Sequence, residues 1–484
     1  MKSKTISRKG AKAQRKAQES AGDRCVREPQ SDAEHVCRLS SVGCKLLAFF
    51  SMNLDQKLRQ LKKASAPRDP DRELEQTLEF LRRMDKPPEP RQLPAQREAK
   101  GIEEYVEGVL EKNDLGEYFT ARQAFPFGRP YGKLRIGDIS TADLSPLNLL
   151  FPQAALPAPE RMVYLDTETT GLAGGTGTCA FLIGLGTVEG TQFVVRQFFL
   201  RDYPEEKAVL HALAEILDSF EGLVTYNGKT FDVPLLETRY ALARLKSPFG
   251  RLTHLDALHP SRRLWRLRLE SCKLTDLESA VLGIEREGDV AGSEIPGIYF
   301  DYLRTGDARG LQPVFYHNAL DIMTLAAVTV ELARAMGDAG TLDSPVDLFS
   351  LSRMLEVAGS REQSVATCQR ALTAGLPDEI EARALHQLAL QYKRQRQHEL
   401  AIATWLELTR RPSPLAIEAF EELAIHYEHR ERNPKSAMEF TVAALERLRE
   451  QHSPSPHAER LAYRLARLQR KTAGLQGAIH LPMT

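Results

Sequence analysis

The sequence of 484 residues is poor in cysteine, with only Cys25, Cys37, Cys44, Cys179, Cys272 and Cys368. No two of them form a CxxC pair, which argues against a zinc site and a disulfide framework; reduced thiols are expected. Long apolar runs are missing too. None reaches the ~18 residues of a membrane-spanning helix. "KLLAFF" (Lys45 to Phe50) is too short, and lies too far along the chain, for a normal secretory signal. We expect a cytoplasmic protein that does not engage a membrane. Nor is there an excess of charge, since Lys+Arg and Asp+Glu stand at 65 each. Any affinity for a polyanion must come from a local patch.

Apolar residues make up 42% of the chain, enough for a sizeable core, and at roughly 100–200 residues per domain the length suits two to four domains. Residues 1–51 stand apart, with eleven Lys/Arg against five Asp/Glu. They read as a disordered basic extension, or as sequence upstream of a natural start at Met52. Residues 52–115 hold two amphipathic helical stretches, "NLDQKLRQLKK" and "DRELEQTLEFLRRM", and the Pro-rich linker "DKPPEPRQLP". Residues 116–160 read as a β-rich lead-in. Residues 161–340 alternate strand and helix signals, with three antiparallel strands followed by helix, strand and helix, the pattern of an α/β sheet flanked by helices.

From 345 to 475 the chain reads as helical repeats. Ala389, Tyr392 and Trp405 match Ala424, Tyr427 and Phe440 at a constant offset of 35. That period fits tetratricopeptide-like helix pairs of ~34 residues, an architecture that binds partners on a concave face.

The stretch "VYLDTETTGLAGGTGTCAFLIGLG" (Val163 to Gly186) places Asp166 and Glu168 at the end of an apolar strand. A spacing of two puts both on one face of a sheet, where they repel each other. Hard divalent cations take oxygen ligands and would remove that conflict. Asp232, in "YNGKTFD", follows a second strand at the opening of a helix. Asp321, in "YHNALDIMTL", lies inside an apolar helix, with His317 four residues earlier on the same face. Each has an ordinary alternative, such as a helix cap or an ion pair, but the joint pattern is more specific.

The order Asp-x-Glu, "YNGKTFD", His-x-x-x-Asp resembles the DEDD superfamily of 3′→5′ exonucleases, which have a ribonuclease H-like fold. More narrowly, these stretches, with "SRRLWRLRLESCKLTDLE" and "EIPGIYFDYL", resemble the YprB-type ribonuclease H-like family. The resemblance implies a ribonuclease H-like nuclease domain followed by the all-α repeats. It makes Asp166, Glu168, Asp232 and Asp321 ligands of two divalent ions, Mg²⁺ or Mn²⁺, and His317 the general base. In the two branches of the superfamily the base is a Tyr four residues before the last Asp or a His five before it. Here His317 is four before and Tyr316 five before; His317 is favoured because it shares the helix face of Asp321.

The resemblance also makes Thr169, Gly171 and Leu172 contacts of a terminal nucleotide, in a Gly-Thr nest whose N–H groups suit anions. Tyr226 and Asn227 could stack on a base or bond a phosphate. Arg262, Arg263 and Arg266, close to Trp265, suit single-stranded nucleic acid or else form a solvated helix face. The expected activity is 3′→5′ hydrolysis of nucleic acid, DNA before RNA, in repair or processing. A helicase or similar factor on the repeats would deliver substrate. The alternative is a scaffold whose nuclease-like domain is inactive.

Overall fold

The computed structural model describes residues 100–151, 155–171, 177–450 and 456–479. The basic extension and the helices and linker expected before residue 100 lie outside the described residues. In chain order the strands are β1 (Gly108–Asn113), β2 (Gly116–Pro126), a small ribbon of β3 (Pro130–Tyr131) and β4 (Leu134–Arg135), then β5 (Met162–Thr169), β6 (Ala180–Glu189), β7 (Gln192–Phe199), β8 (Gly222–Thr225) and β9 (Thr253–Asp256). Seven of them form one sheet in the order β1-β2-β7-β6-β5-β8-β9. It is antiparallel from β1 to β5 and parallel from β5 through β8 to β9. This mixed sheet with flanking helices is a ribonuclease H-like α/β fold.

The β-rich stretch after residue 116 is not a separate lead-in. β2 pairs with β7 from Phe119↔Phe199 to Pro126↔Gln192 and extends the sheet. β9 adds a strand with no counterpart in the sequence reading, because four residues are too few to show a period.

The helices flanking the sheet are α1 (Glu206–Leu217), α2 (Asp232–Ala243), α3 (Leu258–Trp265), α4 (Ile295–Thr305) and α5 (Gln312–Gly337). The alternation on β5 shows how they divide. Val163 and Leu165 join the core that holds α1, α2 and α4, whereas Met162 and Tyr164 join the core on the opposite face, with α3 and most of α5. α5 is apolar on nearly all sides because it lies between the sheet and other helices. Phe181 stacks on Tyr299 at 4.0 Å and pins α4 to the sheet, an aromatic contact worth about 0.5–1.5 kcal/mol beyond its buried area.

The rest of the described chain is helical: α6 (Pro345–Val357), α7 (Arg361–Ala374), α8 (Asp378–Arg394), α9 (His398–Thr409), α10 (Leu415–His429), α11 (Pro434–Glu450) and α12 (Pro456–Ile479). Consecutive helices lie against one another. The residues at the 35-residue offset mark the contacts: Ala389 and Ala424 are fully buried, Tyr392 and Trp405 are core residues, and Tyr427 stacks on Phe440 at 5.3 Å. Leu351, Met354 and Leu355 of α6 share a core with α5. Beside them Arg268 Nε donates to Asp347 Oδ2 at 2.8 Å. The helical array is thus joined to the sheet domain by apolar packing and a half-buried ion pair. Among the described residues no helix is long and apolar enough to cross a membrane, and Cys179, Cys272 and Cys368 are free and buried.

Candidate functional site

Strand alternation decides which way each acidic side chain of β5 points. Asp166 and Glu168 follow Met162 and Tyr164 onto the α5 side, and Thr167 faces the other way. Pairing with β6 shifts register between Glu168 and Thr169, which bends the strand where the second carboxylate leaves it. β5 and β8 are parallel, so Asp232, just past the end of β8, opens α2 at the edge where β5 ends. In open α/β sheets, ligands bind outside the carboxyl ends of such strands. α5 crosses the same face and brings His317, Asn318 and Asp321 to it.

Asn318 fixes that crossing. Its Nδ2 donates to Asp166 Oδ2 at 2.9 Å, and its Oδ1 accepts from Gln197 Nε2 at 2.9 Å. Gln197 Nε2 also donates to the carbonyl of Phe315 at 2.8 Å. Gly184 lies between Asp166 and Gln197 in the sheet. A Cβ there would stand 2.3 Å from Asn318 Oδ1 and 2.4 Å from Ile322 Cδ1. The absent side chain is what lets α5 approach. Gly184→Ala is expected to cost about 1–3 kcal/mol through overpacking, seen as a lower urea midpoint; an unchanged midpoint would mean that α5 does not rest on this strand.

The carboxylates crowd one another. Burial lifts Asp166 well above its ordinary pKa, and Asp321, Glu168 and Asp232 add to the rise. Burial pushes Glu168 up to about 7; the pull of His317 opposes this, and Asp321, Asp232 and Asp289 reinforce it. Asp232 is pushed to about 6, again by burial, although the Thr167 hydroxyl donates to its Oδ1. The Glu168 backbone pairs with β6, but its carboxylate makes no hydrogen bond among the described residues. A crowded set of buried and half-buried oxygen donors, one of them a carboxylate without a hydrogen bond, fits hard divalent cations. The side chains nevertheless hold other partners: Asn318 is on Asp166, Thr167 on Asp232 and Arg286 on Asp321. Among the described residues no three His, Cys, Asp or Glu side chains converge as a metal-binding group.

Sequence reasoning missed the neighbours of these residues. Arg286, only 7% exposed, reaches three carboxylates: Nε donates to Glu278, Nη1 to Asp289 Oδ2 at 3.0 Å, and Nη2 to Asp321 Oδ1. Asp289 in turn lies 2.8 and 2.9 Å from His317 Nδ1. Burial works against the Asp289 carboxylate, but Arg286 and His317 hold its pKa below the ordinary value. The other nitrogen of His317, Nε2, stands 3.6 Å from Asp321 Oδ2. Tyr316 is 44% exposed and makes no bond to this group among the described residues. Asp256, buried at the end of β9, accepts from the backbone N–H groups of Asn227, Lys229 and Leu258 at 2.9, 3.0 and 3.1 Å. It holds the loop before Asp232, in which Asn227 takes a left-handed φ of 69°.

The remaining candidates divide. Tyr226, Asn227, Arg262 and Arg266 line one cavity of about 600 Å³, together with Lys273. The Tyr226 hydroxyl donates to the carbonyl of Cys272 and ties the two walls. Arg263 is exposed on α3 and does not line this cavity. Trp265, paired with the arginines in the sequence reading, is 2% exposed in the core and cannot stack on a base; its place on the buried side of an amphipathic helix explains it. Thr169 is buried, its hydroxyl turned to the carbonyl of Gly171 at 3.1 Å. Leu172 lies outside the described residues.

Comparison with known proteins places the sheet domain. A family profile described as the RNase_H superfamily matches residues 163–333. "Uncharacterized protein YprB" of Bacillus subtilis (strain 168) is 30% identical over 319 residues, covering 64% of this chain and 75% of that protein. The family B DNA polymerase of the archaeon Pyrobaculum calidifontis matches at 13% identity and a TM-score of 0.28, over 57% of this chain and 34% of the polymerase.

Proposed function

The chain belongs to the YprB family, with a ribonuclease H-superfamily domain, and on that premise we propose that it is a metal-dependent 3′→5′ exonuclease. The substrate is nucleic acid, single-stranded DNA before RNA. The reaction adds water across the terminal phosphodiester and releases a nucleoside monophosphate and a shortened strand. One observation carries this reading: Asp166 and Glu168 leave one face of β5 where α5 brings Asn318 against Asp166 and places His317 beside Asp321, and the Glu168 carboxylate has no hydrogen bond among the described residues.

Asp166, Glu168, Asp232 and Asp321 would hold the divalent ions. Bound there, Mg²⁺ or Mn²⁺ would stabilise charge on the attacking and leaving oxygens of the displacement. His317 takes the proton of the attacking water at Nε2, while Asp289 holds the ring through Nδ1. Arg262, Arg266 and Lys273 bind backbone phosphates in the cavity beside Asn227. Removing the base is expected to lower kcat ~10²–10⁴-fold with KM little changed. Imidazole added to His317→Ala should restore part of the rate; no rescue, together with a full loss in Tyr316→Phe, would move the role to Tyr316.

A second reading has an observation of its own. Arg286 on Asp321 resembles a permanent ion pair and favours an inactive, nucleic-acid-binding scaffold. Strands labelled at the 3′ or 5′ end separate the two. The exonuclease gives a Mn²⁺- or Mg²⁺-dependent ladder from the 3′ end that EDTA abolishes. Binding of strands without cleavage in any metal would leave the scaffold.

A further inference from the structure

The helical array carries a second cationic cavity, apart from the carboxylates. It has a volume of about 320 Å³ and lies among α8, α9 and α10. Lys393, Arg394, Arg396 and Arg430 stand at its wall against a single carboxylate, Glu422, with Ile402, Ile425 and the side of Trp405 behind them. Glu422 is taken by Lys393, and Arg394 turns outward to Glu356 at 2.6 Å. His426 lies 3.2 Å from Glu431, and His429 lies 3.6 Å from Glu428. Arg396 and Arg430, both exposed, make no ion pair among the described residues.

The helix end fixes where Arg396 stands, and the charges around it point to an anionic ligand. Arg396 lies two residues past α8 with a left-handed φ of 61°, where its N–H bonds the Lys393 carbonyl at 3.1 Å and closes the helix end. That backbone conformation costs an ordinary side chain roughly 1–2 kcal/mol, whereas glycine adopts it freely. His398 meanwhile is held below its ordinary pKa by partial desolvation and by the charges of Arg430, His426, Arg396 and Lys393. Of the cations at the cavity mouth, Arg396 and Arg430 are thus the ones left without a carboxylate partner among the described residues.

We propose that this cavity binds an acidic peptide segment of a partner protein, its carboxylates on Arg396 and Arg430 and an apolar side chain against Ile402 and Ile425. A peptide fits better than a nucleic acid strand. The Trp405 ring is 3% exposed and lies edge-on to His386 at 5.4 Å, so it offers no stacking surface to a base.

The test uses the full chain and fluorescence anisotropy with three probes. They are a labelled peptide alternating Glu and Leu, the same peptide with Gln for Glu, and a labelled single-stranded DNA of equal length. The Glu peptide should bind, weaken with added salt, and lose ~10-fold or more in the double variant Arg396→Gly, Arg430→Gln, which removes two charge-assisted contacts. Glycine suits the left-handed position, so the variant should melt no lower than the parent. Equal binding of the Gln peptide, undiminished binding by the double variant, or displacement of the peptide by the oligonucleotide at lower concentration would each overturn the proposal.

Discussion

Glu168→Gln is expected to abolish metal-dependent cleavage and, in the same protein, to raise the melting temperature measured in EDTA. Both effects come from one charge. Cleavage should fall at least ~10³-fold, because the variant loses an anionic oxygen donor to the divalent ions. The stability gain follows from linkage. Burial and neighbouring carboxylates move Glu168 from an ordinary 4.5 to about 7 in the folded protein. Between those values the folded chain holds a proton that the unfolded chain has lost, so stability falls as pH rises through that window. Above it, the folded protein carries the cost of a half-buried carboxylate among like charges. The glutamine should recover of order 1–3 kcal/mol at pH 8 and almost nothing near pH 4.5. Thermal melts of both proteins at the two pH values check this. A variant that melts lower than the parent at pH 8 would mean that Glu168 is held by a favourable contact, and the case for a cation would weaken.

Arg286→Met should have the largest effect on folding. Removing the guanidinium leaves Glu278, 1% exposed, together with Asp289 and Asp321, without their common cation. Breaking a buried ion pair from one side costs about 3–5 kcal/mol, because the remaining charge stays buried and unpaired. Glu278 keeps only the Tyr131 hydroxyl, which donates to its Oε1 at 3.1 Å. A second substitution, Glu278→Gln, removes the most buried of the stranded charges and should restore part of the loss, whereas the same change alone should not stabilise the parent. Urea unfolding of the four proteins gives the coupling directly. Additive effects would show that Arg286 stabilises through packing of its methylenes and not through these carboxylates.

Much of the sheet domain was legible because local periodicity wrote it. β5, β6 and β7 each show an apolar run or alternation, and α5 declares itself by the long, largely apolar stretch from Tyr316 to Met336. Asp166, Glu168 and Asp321 stand out because acids in apolar surroundings are rare without partners. What remained hidden depends on contacts between distant segments. The sequence gives no sign that β2 pairs with β7, some 75 residues on. Arg286 and Asp289 lie in a charged, Gly-containing stretch that reads as ordinary loop, and only the fold brings them to Asp321 and His317. Asn318 carries no signal in the sequence, yet it is the side chain that ties α5 to Asp166. Trp265 misled because its neighbours in sequence are arginines, while its neighbours in space are the core.

Catalysis as proposed requires the acidic cluster at the end of β5 to be a cation site. The most direct measurement is a calorimetric titration of Mn²⁺ into the full chain at pH 8, beside Glu168→Gln. We expect saturable binding by the parent protein and at least a tenfold loss in the variant, about 1.4 kcal/mol. No binding, or identical binding by both proteins, would contradict the account and leave Arg286 as the permanent partner of Asp321.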